Sequence, residues 1–183
     1  MLLNYETSRL KLQCLTSAFA PAVLSFYQEN KSYFDRYELT RPRNFYTIGF
    51  QTGILDWEWN EMQAKHCLRY YIFLKNDPEQ IIGSVNFSDI RLGCMQNAAI
   101  GYKLDHRYWH QGYAYEACAG GLEIMFREYR LHRIIAHIMP SNQPSLRLIQ
   151  KLGFVYEGLE HEAAEINHRW QDLQRFARLN PQR

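Results

Sequence analysis

The chain has 183 residues, of which 46% are hydrophobic and 15% aromatic, enough for one sizeable core and too few for a second, so a single domain over residues 1–183 is expected. Its 21 basic and 19 acidic residues leave a net charge of +2, too weak a field to mark direct nucleic-acid binding. Residues 1–12 carry Glu6, Arg9 and Lys11 where a signal peptide needs an apolar run, and no later stretch has 18 uncharged apolar residues, which points to a soluble cytoplasmic protein with no membrane partner.

In chain order, Leu10, Leu12 and Cys14 alternate with Arg9, Lys11 and Gln13, the period of a half-buried strand. Thr16 or Ser17 then caps a helix reaching about Asn30. Residues 33–46 are aromatic-rich, contain Pro42 and follow no period, so they read as an ordered loop; a helix follows over 50–66. Residues 69–75 and 80–89 read as a hairpin around the turn Asn76-Asp77-Pro78-Glu79, and 97–104 as the next strand. Apolar residues at 117, 118, 121, 122, 125, 126 and 129 recur at helical spacing behind Gly112. Residues 132–139 form a strand ended by Pro140. Asn142 caps a helix with Pro144 in its first turn and Gly153 past its end, and 154–162 with 170–179 close the chain as a strand pair. The resulting order, β-α-α-β-β-β-α-β-α-β-β, implies an α+β fold with a mixed sheet and helices on both faces.

A helix N-terminus exposes unpaired N–H groups and about half a positive charge, so a chain reaching it through small residues can cradle an anion without a basic side chain. The segment Trp109-His110-Gln111-Gly112-Tyr113-Ala114 has that form. It is equally compatible with an ordinary turn. No Gly-x-x-x-x-Gly-Lys-Ser/Thr loop and no Gly-x-Gly-x-x-Gly fingerprint is present, which argues against a P-loop nucleotidase and a dinucleotide-binding fold.

The ordered series Ile100-Gly101-Tyr102-Lys103-Leu104, Tyr108 to Ala117, His132-Arg133-Ile134-Ile135-Ala136, Asn142-Gln143-Pro144-Ser145 and Lys151-Leu152-Gly153-Phe154 resembles the GNAT acetyltransferases. With Tyr27-Gln28-Glu29-Asn30, the stretch Gln80 to Ser88 and Trp170-Gln171-Asp172, it is most similar to the RimJ branch, the N-terminal alanine acetyltransferases of ribosomal proteins. The chain departs from the superfamily pattern at Trp109, where Gln or Arg is usual, and at His110, often glycine in that branch.

The resemblance implies a mixed, largely antiparallel sheet of six to seven strands. It implies acetyl-CoA as co-substrate, with its pyrophosphate at Trp109, His110, Gln111, Gly112, Tyr113, Ala114 and Tyr115 and its pantetheine paired like an added strand with Ile100, Tyr102 and Leu104. Asn142 either caps its helix alone or also touches pantetheine. Ser145 matches the position of an acid toward the leaving sulfur, against the plainer role of a first-turn helix residue. A strand glutamate often serves as base, yet this chain reads Asn97-Ala98-Ala99 there. Strand alternation favours Glu162 over Glu165 as a substitute, and a water chain is the alternative.

Tyr33, Phe34 and Tyr37 fall where related enzymes build the acceptor groove. The implied acceptor is a protein N-terminus, best matched by alanine on a ribosomal small-subunit protein. A small amine, such as a polyamine or antibiotic, and a non-catalytic acetyl-CoA or ribosome binding module are the alternatives. His106, His110, His132, His137, His161 and His168 show no metal-ligand spacing and read as structural or surface histidines, so no metal is expected. Cys14, Cys67, Cys94 and Cys118 read as packing residues, and Trp57, Trp59, Tyr70 and Tyr71 as core.

Overall fold

The computed structural model describes residues 2–181. Leu10 and Leu12 are fully buried and their neighbours are not, which makes Leu10–Gln13 a strand, β2. It pairs antiparallel on one side with β1 (Asn4–Glu6) and on the other with β3 (Leu68–Leu74). Next come β4 (Gly83–Arg91), β5 (Asn97–Leu104), β6 (Arg133–Ile138), β7 (Val155–Ile166) and β8 (Arg169–Leu179). Among the described residues the sheet has eight strands in the order β1-β2-β3-β4-β5-β6-β8-β7. The count of six to seven falls short because β1 has three residues, too few to leave a period in the sequence.

Every neighbouring pair is antiparallel except β5 and β6, which run parallel because a helix crosses between them. That helix, α4 (Tyr113–Arg127), lies with α5 (Gln143–Lys151) on one face; its Ala117, Leu122 and Met125 share a core with Leu68, Tyr70 and Ile72 of β3. On the other face α1 (Ala20–Glu29), the four-residue α2 (Lys31–Phe34) and α3 (Ile48–Gln63) bury Val23, Phe26, Phe34 and Leu55 against Tyr71 and Phe73. The close approach of α4 to the sheet depends on Gly121, where a Cβ would sit 2.9 Å from the Phe87 ring.

Several expectations shift. The stretch expected as an ordered loop, 33–46, begins inside α2, and the rest of it is stitched to the far end of the sheet by a Leu39–Ile166 bridge. Trp57, expected in the core, is 53% exposed on α3. Asn167 and His168, with φ of 50° and 60°, make the two-residue turn between β7 and β8.

Candidate active site

β5 and β6 are paired only at Asn97↔Arg133, Ala98↔Ile134 and Ala99↔Ile135. Beyond that point β5 stays with β4 as far as Leu104↔Gly83, while β6 follows β8 along its whole length, so the two strands part and leave a gap. The amide of Asp105 donates to the Ile82 carbonyl, which turns the main chain of the odd-numbered residues toward β4 and that of Ile100, Tyr102 and Leu104 toward the gap. A free strand edge facing a cleft can bind an extended arm through its main chain. One of its groups is already occupied: the indole N–H of Trp109 donates to the Leu104 carbonyl at 2.9 Å. Leu104 is thereby left with its N–H alone, and Trp109, the departure from the family pattern, acts through its side chain.

The gap opens toward the N-terminus of α4. Its N-cap is Gly112, with φ 82° and ψ 0°, a left-handed conformation that costs other L-residues about 1–2 kcal/mol. No side chain caps the first turn, so its N–H groups stay available to an anion. His110 is also left-handed, at φ 61°, so both bends around Gln111 are tight.

A residue that gave no sequence signal completes the loop. Arg9, from the turn between β1 and β2, donates through Nη1 to the Gln111 carbonyl at 3.0 Å and lies over the Tyr113 ring at 4.4 Å. Its Nε and amide, together with the Thr7 hydroxyl, donate to the Glu116 carboxylate at 2.7, 2.7 and 2.6 Å. Burial pulls the Glu116 pKa up, yet these bonds hold it below the usual range, so the charge sits on donors instead of facing the loop. Tyr115 is exposed further along the first turn, with the Lys151 ammonium 4.9 Å over its ring.

On the α5 side of the gap Asn142 accepts from the Ser145 amide at 3.3 Å, as an N-cap does. The Tyr102 hydroxyl donates to the Ser145 carbonyl at 3.3 Å and ties β5 to the first turn of α5; burial pushes that phenol pKa up and keeps it protonated. Asn142, Ser145 and Tyr102 are thus brought together. Glu162 is not among them. It is exposed on β7 with φ 46°, its amide donating to Asp172. The register passes from Glu160↔Leu173 to Ala164↔Gln171, a bulge that breaks the alternation on which its choice rested.

The opposite face of the gap is bounded by residues 35–46. Leu39 bridges to Ile166, and the Thr40 amide donates to the Glu165 carbonyl at 3.1 Å. Glu38 reaches β5, where both its carboxylate oxygens lie within 2.8 Å of the Lys103 ammonium. Arg41 is nearly buried between Asp35 and Glu38, over the rings of Phe45 at 4.2 Å and Tyr27 at 4.9 Å. Burial raises the Glu38 pKa, but Lys103 and Arg41 outweigh it and hold the carboxyl below its usual range. A pocket of about 290 Å³ opens here, bordered by Lys31, Asp35, Arg41, Arg43, Tyr46 and His168 among others.

Of the three aromatic residues expected on a substrate wall, Phe34 turns inward against Phe26 at 5.3 Å. Its side chain belongs to the core because α2 continues the apolar face of α1. Tyr33 stacks on His106 at 4.2 Å and meets Trp109 edge-on, and Tyr37 is 41% exposed. Among the described residues no helix is long and apolar enough to cross a membrane, and no group of three side chains could hold a metal ion.

A split between parallel central strands lies beside a glycine-capped helix whose first-turn N–H groups are free of side-chain caps. The acetyltransferase (GNAT) domain family matches residues 9–155, and the chain belongs to that family. It is 33% identical to the probable N-acetyltransferase YjcK of Bacillus subtilis, over 86% of this chain and 87% of that protein. The crystal structure of the ribosomal-protein-S5-alanine acetyltransferase of Vibrio fischeri superposes with a TM-score of 0.91 at 25% identity, covering 98% of both chains. Mycobacterium smegmatis RimJ, solved in complex with CoA-disulfide, superposes with a TM-score of 0.89 at 23% identity over 94% of this chain and 83% of that one. The protein is an acetyltransferase of the GNAT type, related to the ribosomal-protein acetyltransferases.

Proposed function

We propose that the protein transfers the acetyl group of acetyl-CoA to the α-amine of a protein N-terminus, with an alanine-starting ribosomal small-subunit protein as acceptor. The gap between β5 and β6, opening at the uncapped α4 N-terminus, carries this reading. The residues fit the cofactor: Gly112 leaves room for close approach of phosphate, residues 113–115 offer free N–H groups, and Tyr102 offers a strand edge to the pantetheine arm. The thioester supplies the activated acyl group. Asn142 caps the first turn of α5 through the Ser145 amide, and the Ser145 hydroxyl is assigned the role of proton donor to the departing sulfur.

The acceptor pocket supports a peptide over a polyamine. A polycation needs an acidic enclosure, whereas here Asp35 and Glu38 are already neutralised by Lys31, Arg41 and Lys103. Thiol release from acetyl-CoA is to be compared among alanine-, serine- and methionine-starting peptides, spermidine and an aminoglycoside. Release with the alanine peptide above the rest is the expected result. Release with spermidine and with no peptide would overturn the protein target, and binding of acetyl-CoA without release on any amine would favour a non-catalytic module.

A further inference from the structure

The side chains of β6 alternate. Ile134, Ala136 and Ile138 are buried against α4 and α5, so Arg133, Ile135 and His137 project from the opposite face. That is the face on which Lys103 of β5 meets Glu38 and the rings of Tyr27 and Phe34. Because pairing with β5 ends at Ile135, His137 is the first β6 side chain past the point of divergence that looks toward the acceptor pocket side. Its Nε2 lies 3.4 Å from Oε2 of Glu160 on β7, and Oε1 of Glu160 lies 3.5 Å from Arg175, the residue paired with His137 across β8. The imidazole is 34% exposed, so the ring is open to solvent beside its Glu160 contact.

A carboxylate beside Nε2 favours the tautomer that carries its proton there and leaves the Nδ1 lone pair free. We propose that His137, oriented by Glu160, is the base that takes a proton from the acceptor's ammonium group at the mouth of the gap. The proposal rests on the acetyl-transfer reading. One proton passes from the ammonium to Nδ1 and on to water. The freed amine forms its bond to the acyl carbon as the carbon–sulfur bond breaks, the electron pair leaves on sulfur, and a second proton from nitrogen ends on that sulfur, giving amide and thiol. Glu160 touches the imidazole and is itself paired with Arg175 of β8; the other charged groups on this face are paired among themselves, Glu157 of β7 with Arg133 and Arg175, and Lys103 of β5 with Glu38.

The test uses the full chain with acetyl-CoA and the best peptide of the panel. H137A and H137Q are expected to lower kcat by about 10²–10⁴-fold, the range of a lost general base, with the acetyl-CoA dissociation constant unchanged. Activity should recover as pH rises and the acceptor amine deprotonates unaided, and added imidazole should rescue H137A. E160Q should lower kcat with the acetyl-CoA dissociation constant unchanged, and E160D should restore it. Unchanged kcat in H137A, or a loss with neither pH recovery nor imidazole rescue, would overturn the assignment. A wild-type protein that releases no thiol with any amine would instead sink the acetyl-transfer reading itself.

Discussion

The two sides of the gap are built by different means. The proposed cofactor side, from β5 through α4 and β6 to α5, presents main-chain groups: a strand edge, an uncapped helix and one left-handed glycine. The proposed acceptor side is built mainly by side chains drawn from far apart, such as Glu38 against Lys103 and Arg41 between Asp35 and Glu38, with one main-chain bridge from Leu39 to Ile166. Main-chain recognition tolerates change in the residues around it, so Trp109 and His110 can replace the usual residues without dismantling the cradle. Side-chain recognition has no such tolerance, and the proposed function assigns the choice of acceptor to that side.

The largest effect that would break this contrast lies at Gly112. Gly112→Val forces a β-branched residue into a left-handed conformation and brings a Cβ to 3.4 Å from Arg9, at a cost of about 1–3 kcal/mol. Calorimetry should find acetyl-CoA binding weakened by about tenfold or more, with acceptor KM little changed. An unaltered affinity would mean that the loop does not hold the pyrophosphate.

A smaller effect sharpens the other side. Arg41→Lys keeps the charge but loses the planar group that meets two carboxylates and three rings, those of Tyr27, Phe45 and Tyr46, and should lower stability by about 1–2 kcal/mol. Acceptor KM should rise several-fold while acetyl-CoA affinity holds. A change in cofactor affinity instead would show that the two sides are coupled.

The same contrast explains what the sequence disclosed. The helix behind Gly112, the cap at Asn142 and the hairpin from β3 to β4 depend on neighbours a few residues away, so local period and turn chemistry reveal them. Arg9 reaches Glu116 across 107 positions, and nothing near it in the chain marks that role. Phe34 looked like wall because its stretch lacks a period, yet α2 extends α1 and buries it. Strand alternation points to Glu162, and a bulge in β7 interrupts that alternation. His137 gives no signal alone, since its partner Glu160 lies on a strand two places across the sheet.

Backbone amide NMR during titration with acetyl-CoA tests the central claim most directly. Shifts concentrated in residues 100–104, 110–115 and 142–145, with residues 35–46 unmoved until peptide is added, are the expected result. Shifts confined to other regions, or shifts of residues 35–46 on acetyl-CoA alone, would contradict the division between a main-chain cofactor side and a side-chain acceptor side.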